Sequence, residues 1–242
     1  MEKITLETIK NDKDFRALID TANEYLKQMG YTEHGPRHVT CVARTTANIL
    51  RELGYDERTI ELGAIAGYIH DIGNVVNRKN HGLSGANLAF QLLLKKRMDM
   101  KEIATIVGAI GNHEEETGKP VSPVSAALII ADKSDTHRSR VRRDSYDIND
   151  IHDRVNLAIK KNMLVVDEEN KIIRLVIFMD ESSAPMEYLQ IYMSRMVLSE
   201  KAAEYLGCTF ELVINGMLIN RHTGVGEKLT LRGKEKKVSI DE

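Results

Sequence analysis

The chain has 242 residues, of which 42% are apolar and 29% charged, with a formal net charge of −2. This is the composition of a water-soluble globular protein, long enough for one large domain or a core with an appendage, and its near-neutral balance gives no footing for nucleic acid as a partner. With only Cys41 and Cys208, no apolar leader in "MEKITLETIKNDKDF" and no run of the about 18 apolar residues that a membrane span needs, the chain reads as cytoplasmic, without a disulfide framework, a thiolate zinc site or a place in the membrane.

Helical periodicity dominates up to about residue 143. Phe15, Leu18, Ile19, Ala22, Leu26 and Met29 share one face of a first helix that Gly30 stops. Pro36 opens a second, carried by Val39, Val42, Ile49, Leu50 and Leu53 to Gly54. Asp56 caps "ERTIELGAIAGYIH", a fourth helix is expected over "SGANLAFQLLLKKR", and Asp99 with Glu102 starts "KEIATIVGAIGNH" in capping-box fashion. Ser122 and Pro123 open "VSAALIIADKSDTHRSRVRR", expected to be helical to its end.

Past about Ile151 the pattern changes. "MLVVDEENKIIRLVIFMD" reads as two strands around an Asp167–Asn170 turn, Pro185 begins a helix that Gly207 ends, and Asn215-Gly216 between apolar runs signals a hairpin. The expected division is a helical domain over residues 1–150, a small β-β-α-β appendage over 151–220 and a polar tail over 221–242. The stripe Met186, Leu189, Met193, Met196 and Val197 reads as packing against the appendage's own sheet, with a homodimer face as the other reading.

The chemistry-bearing residues stand mostly at helix ends. His38 lies in a first turn, His70 and Asp71 close the "GYIHDIG" run, His81 precedes a helix and His113 ends one, while Asp132 follows the apolar stretch "AALII". Imidazoles and carboxylates beside buried segments are costly unless a cation neutralises them, and this donor mixture suits divalent Fe, Mn, Zn, Co, Ni or Mg. A carboxylate has two oxygens, so Asp71 could bridge two ions and clamp a phosphate between them. Arg78 and Lys79 between Asp71 and His81, and the basic run Lys133, Arg138, Arg142 and Arg143, are candidates for phosphate contacts. Glu114 beside His113 could orient a ligand. His34 is a loop residue near the site, and His137, His152 and His222 read as surface residues.

In order and context, "HVTCVARTTANIL", "AGYIHDIGN", "HGLSGANLA", "AIGNHEEETG" and "IIADKSDTHRSRVR" resemble the HD-domain superfamily of metal-dependent phosphohydrolases, over roughly residues 30–143. Within it the chain looks most like the bacterial diadenosine tetraphosphate hydrolases and shares pieces with cyclic-di-GMP phosphodiesterases. It departs from them at Asn74, where a lysine is usual, at Asn112, and at Gly118-Lys119-Pro120. The resemblance implies a mainly α helical bundle with the α+β part appended. One metal would be held by His38, His70, Asp71 and Asp132, and a second by Asp71, His81 and His113. Catalysis would draw on Asp71, His81, His113, Arg78 and Arg138, and the substrate would be a small nucleotide-type phosphoester or phosphoanhydride. The reading from another class is a catalytically silent signalling or binding module that keeps the bundle and its metal.

Overall fold

The computed structural model describes residues 3–142 and 146–220, and the backbone of 237–239. Arg143, His222 and most of the polar tail lie outside the described residues. The first part is a bundle: α1 (Leu6–Lys10), α2 (Lys13–Gln28), α3 (Pro36–Glu52), α4 (Glu57–Ile69), α5 (His81–Lys95), α6 (Met100–Gly111) and α7 (Pro123–Ser134). Asp12, Asp56, Asp99 and Ser122 each accept backbone N–H bonds at the starts of α2, α4, α6 and α7. These caps offset the orphan donors of a helix end.

Every residue of α4 from Leu62 to Ile69 is buried, and so is every residue of α7 from Val124 to Ala131. Helices apolar on all sides belong at the centre of a fold. Around α7 pack α3, α4, α6 and, from the appendage, α9 (Pro185–Tyr205). A single cluster of buried apolar side chains runs from Ile9 in the bundle to Ile214 in the appendage. No helix among the described residues is long and apolar enough to cross a membrane.

The appendage opens with a helix, α8 (Ile151–Ala158), followed by β1 (Ile159–Asp167), β2 (Ile172–Met179), α9, β3 (Thr209–Ile214) and β4 (Met217–Leu218); β5 (Lys237–Ser239) lies beyond. The strand order is β4-β3-β2-β1-β5. β1 and β2 form an antiparallel hairpin, and α9 is the crossover that lets β3 run parallel to β2, from Ile172 opposite Thr209 to Ile177 opposite Ile214. Asn215 and Gly216 take φ of 50° and 81° and turn β3 into β4, as the Asn-Gly signal requires.

Several expectations need correction. The last bundle helix stops at Ser134 instead of running to 143, and only a short 3-10 turn, Arg138–Arg140, follows. The chain leaves the helix because Asn162 of β1 takes the Ser134 and Thr136 carbonyls at 2.7 and 2.9 Å, while the Asp135 carboxylate turns inward. α5 begins at His81, three residues before Ser84, entered through Asn80 at φ 59°. α1 and α8 are too short to show a helical period over the window that periodicity needs. The stripe on α9 is only in part its packing face: Met196 is buried and Leu189 packs against the core, but Met186, Met193 and Val197 are exposed, and the buried side is Tyr188, Tyr192, Met196, Ser199 and Ala203.

Candidate metal centre

Four helix ends, the 3-10 turn after α4 and α7 converge on one buried spot. His38 sits in the first turn of α3, where Pro36 occupies N1. His70 is the C-cap of α4, and Asp71 leads into the 3-10 turn Ile72–Val75. That turn lies directly on the start of α5: a Cβ on Gly73 would stand 1.9 Å from the His81 carbonyl oxygen and 2.4 Å from the Gly85 nitrogen. Only glycine permits this approach, which carries His81 to Asp71. Gly82 packs likewise against the Ile110 carbonyl at the end of α6, three residues before His113.

The rings are oriented from behind. His38 Nδ1 is 2.6 Å from Asp135 Oδ2, His70 Nδ1 is 2.8 Å from the Gly67 carbonyl, and His113 Nδ1 is 2.6 Å from the Ile110 carbonyl. His81 Nδ1 meets the Arg78 carbonyl at 2.8 Å and Glu114 Oε1 at 2.6 Å. With Nδ1–H donating in each case, all four Nε2 lone pairs face inward, the arrangement by which an outer oxygen fixes the tautomer of a metal-ligating histidine.

Asp71 stands between two groups of donors. Its Oδ2 lies 3.7 Å from His38 Nε2 and 3.5 Å from His70 Nε2, while its Oδ1 lies 3.3 Å from His81 Nε2 and 3.8 Å from His113 Nε2. Asp132 Oδ1 completes the first group, 3.4 Å from His38 Nε2 and 3.6 Å from His70 Nε2. Ligand atoms about 2.1 Å from a shared ion stand about 3.0–3.4 Å from one another, so these spacings leave room for a dication after small adjustments.

The donors also need a cation. His38 Nε2 and His70 Nε2 are buried without a hydrogen-bond partner, and His81 Nε2 faces His113 Nε2 at 3.0 Å. Two imidazole lone pairs at that distance repel unless a proton or a metal ion stands between them. Burial disfavours the charge on both carboxylates, but the His70, His81 and His113 rings around Asp71, and Lys133, His38 and His70 around Asp132, hold both well below the usual carboxylate range. His38, His70 and Asp71 could hold one ion and Asp71, His81 and His113 another; His70, His113 and Asp132 also come within range of a common ion. The donor set therefore fits a divalent metal.

All six ligand candidates are brought together. Arg78 joins them, its Nη1 3.2 Å from Asn74 Oδ1 and 3.4 Å from His81 Nε2. Asn74, where the resemblance leads one to expect a lysine, donates its amide to Asp71 Oδ1 at 2.9 Å and so orients that carboxylate. Arg138 is not at the site: it is exposed, and its Nη2 donates to the Leu157 carbonyl at 2.8 Å. Arg142 is spent on backbone oxygens of Tyr31, Asn23 and Thr32, and Lys79 is exposed. Lys133 is buried and bonds Asp132 Oδ2 at 2.7 Å.

Sequence reasoning missed four contributors. Asp135, fully buried, holds His38 and also receives both terminal nitrogens of Arg37 at 3.3 and 2.7 Å. Glu115 bridges Lys133 at 3.1 Å and Arg195 of α9 at 3.0 Å. Arg140 is buried against Asp135. The available signals were the Asp132-x-x-Asp135 spacing and the second arginine of "RSR"; nothing local marks Arg195. His34 is buried with its ring 5.4 Å from that of His38, as the loop reading allowed.

Residues 37–137 match the HD domain family. Over 221 residues the chain is 26% identical to an uncharacterized protein of Methanocaldococcus jannaschii, covering 81% of each. It also aligns with a solved structure described as a predicted HD superfamily hydrolase from an uncultured Thermotogales bacterium, at 24% identity and a TM-score of 0.41, over 54% of this chain and 73% of the other. The stretch that matches the HD domain family, residues 37–137, is the one that gathers the six ligand-type side chains of the sequence pattern at one buried spot.

Proposed function

We propose that the chain is a metal-dependent phosphohydrolase acting on a small nucleotide-type phosphoester or phosphoanhydride. The observation that carries the reading is Asp71, which turns one oxygen to His38 and His70, the two rings that Asp132 also meets, and the other to His81 and His113. Such a carboxylate suits one or two divalent ions, which when bound supply Lewis acidity and a more acidic water. In the hydrolysis a water oxygen bonds to phosphorus, the bond to the leaving oxygen breaks, and the water's proton passes to the products.

The chain's own residues would divide the work. His38, His70, Asp71 and Asp132 hold one ion, and Asp71, His81 and His113 a second. Asp135 and Glu114 fix the His38 and His81 rings, and Asn74 fixes Asp71. Arg78, at the edge of the cluster, offers its N–H fork to phosphoryl oxygens and offsets the charge that grows on them.

Metal analysis of the purified protein and a screen of phosphoesters and phosphoanhydrides test this. Metal-dependent turnover lost in Asp71→Ala supports it. If wild type and Asp71→Ala are equally inert on every substrate, the hydrolase reading falls and an HD-type binding module remains.

A further inference from the structure

Beside the ligand cluster lies a cavity of about 340 Å³ walled by both parts of the chain: Tyr31, His34, Arg78 and Arg140 from the bundle and the turn after α7, Tyr192 and Arg195 from α9. Arg78 touches the ligand His81. The other two guanidiniums reach carboxylates behind the cluster, Arg140 toward Asp135 at 3.8 Å and Arg195 to Glu115 at 3.0 Å.

Two features mark this wall as built to receive an anion. Arg140 is 3% exposed, and its Nε and Nη1 donate to the Glu33 and Asp135 carbonyls, yet its buried Nη2 has no partner. A guanidinium nitrogen is costly to desolvate without an acceptor, so the open valence points to a missing one. In addition, Arg195 and Arg78 lie over the Tyr192 and Tyr31 rings, 4.7 and 5.6 Å from the centroids, which holds each planar fork in place. The acidic residues on the same wall are otherwise engaged. Asp150 accepts from the His152 backbone and ring, and Asp153 from the Asp147 amide.

One phosphoryl group at the ligand cluster, met by Arg78, leaves Arg140 and Arg195 unused. We propose that this cavity seats a second phosphoryl group, so that the substrate carries two linked phosphoryl groups, one at the ligand cluster and the next between Arg140 and Arg195. The inference rests on the phosphohydrolase reading for the first group, and it makes the appendage part of the substrate site through α9.

Calorimetry on the full-length chain with its own metal tests it, using methylenediphosphonate and inorganic phosphate as probes. The diphosphonate should bind about tenfold or more tightly than phosphate, and Arg195→Ala and Arg140→Met should each remove most of that advantage, read as the ratio of the two affinities within the same variant so that any change common to both probes cancels. Circular dichroism checks both variants; should Arg140→Met misfold, Arg195→Ala decides, because Arg195 is partly exposed on its helix. Equal affinity for the two probes, or an advantage that survives Arg195→Ala, overturns the proposal. A diphosphonate preference in a chain inert toward every phosphoester upholds the pocket and removes the hydrolase reading. Turnover of monoesters without the preference removes this inference alone.

Discussion

His81 Nε2 and His113 Nε2 meet at 3.0 Å with both Nδ1 atoms already committed to oxygens. The metal-free ring pair needs a shared proton, and a dication relieves the same repulsion. Removing metal with a chelator should therefore cost stability as well as activity. For an ion present at about a thousandfold over its dissociation constant the loss is about 4 kcal/mol, or on the order of 10 °C in melting temperature for a chain of this size. Thermal melts with and without chelator, and metal content of His113→Ala against wild type, provide the measurement; a His113→Ala protein with unaltered metal content and melting would contradict the assignment.

Asp135 orients His38 without lying among the proposed ligands. Asp135→Asn keeps the shape but weakens the hydrogen bond to His38 Nδ1 and the ion pair with Arg37. Outer-shell changes of this kind typically lower metal affinity or activity by about 10–100-fold. Competition with a chromophoric chelator should show the loss in affinity, and added metal should restore much of the activity.

Gly73 and Gly108 separate two roles of glycine. A methyl on Gly73 would run into the backbone of α5, so Gly73→Ala should destabilise the fold by about 3 kcal/mol or more and lower metal content with it. Gly108 lies inside α6 with only Val121 Cγ2 within reach, at 4.0 Å. Gly108→Ala should stabilise by about 0.5–1 kcal/mol through helix propensity. Chemical denaturation of both variants checks the opposite signs.

The acid limb of stability should depend on Glu115. Burial pushes its carboxyl up, but Lys133 and Arg195 outweigh that and hold it at about 2, against an ordinary 4.5. A lowered folded-state pKa contributes stability that is fully present above the unfolded value and lost as pH falls from about 4.5 through 2. The contribution at neutral pH is on the order of 3 kcal/mol, and Glu115→Gln should flatten the fall in melting temperature across that window.

The bundle is legible because its start signals are local: Asp12, Asp56, Asp99 and Ser122 cap where they stand in sequence, and the apolar faces that follow keep a 3.6-residue period. The ligand candidates are legible because histidine and aspartate next to "AGYI" and "AALII" have no apolar explanation. What the sequence hides is whatever depends on distant partners. α7 reads as continuous through Arg143 because nothing near it reveals that Asn162, 28 residues past Ser134, takes its last carbonyls. Arg138 and Arg140 are indistinguishable as letters, and the 3-10 turn alone puts one in water and the other against Asp135. Arg195 lies 63 residues beyond Asp132, on a helix whose exposed methionines draw attention to the wrong face.

Because α9 lies along α7, the helix that carries Asp132, the sheet is not ornament that could be trimmed away. A fragment ending near residue 150 would expose to water the flank of a helix buried from Val124 to Ala131 and dissolve one wall of the cavity. Transplanting the bundle into a chimera would thus require α9 to travel with it, and shortening the crossover between β2 and β3 would retune the ligand cluster's surroundings from the far side.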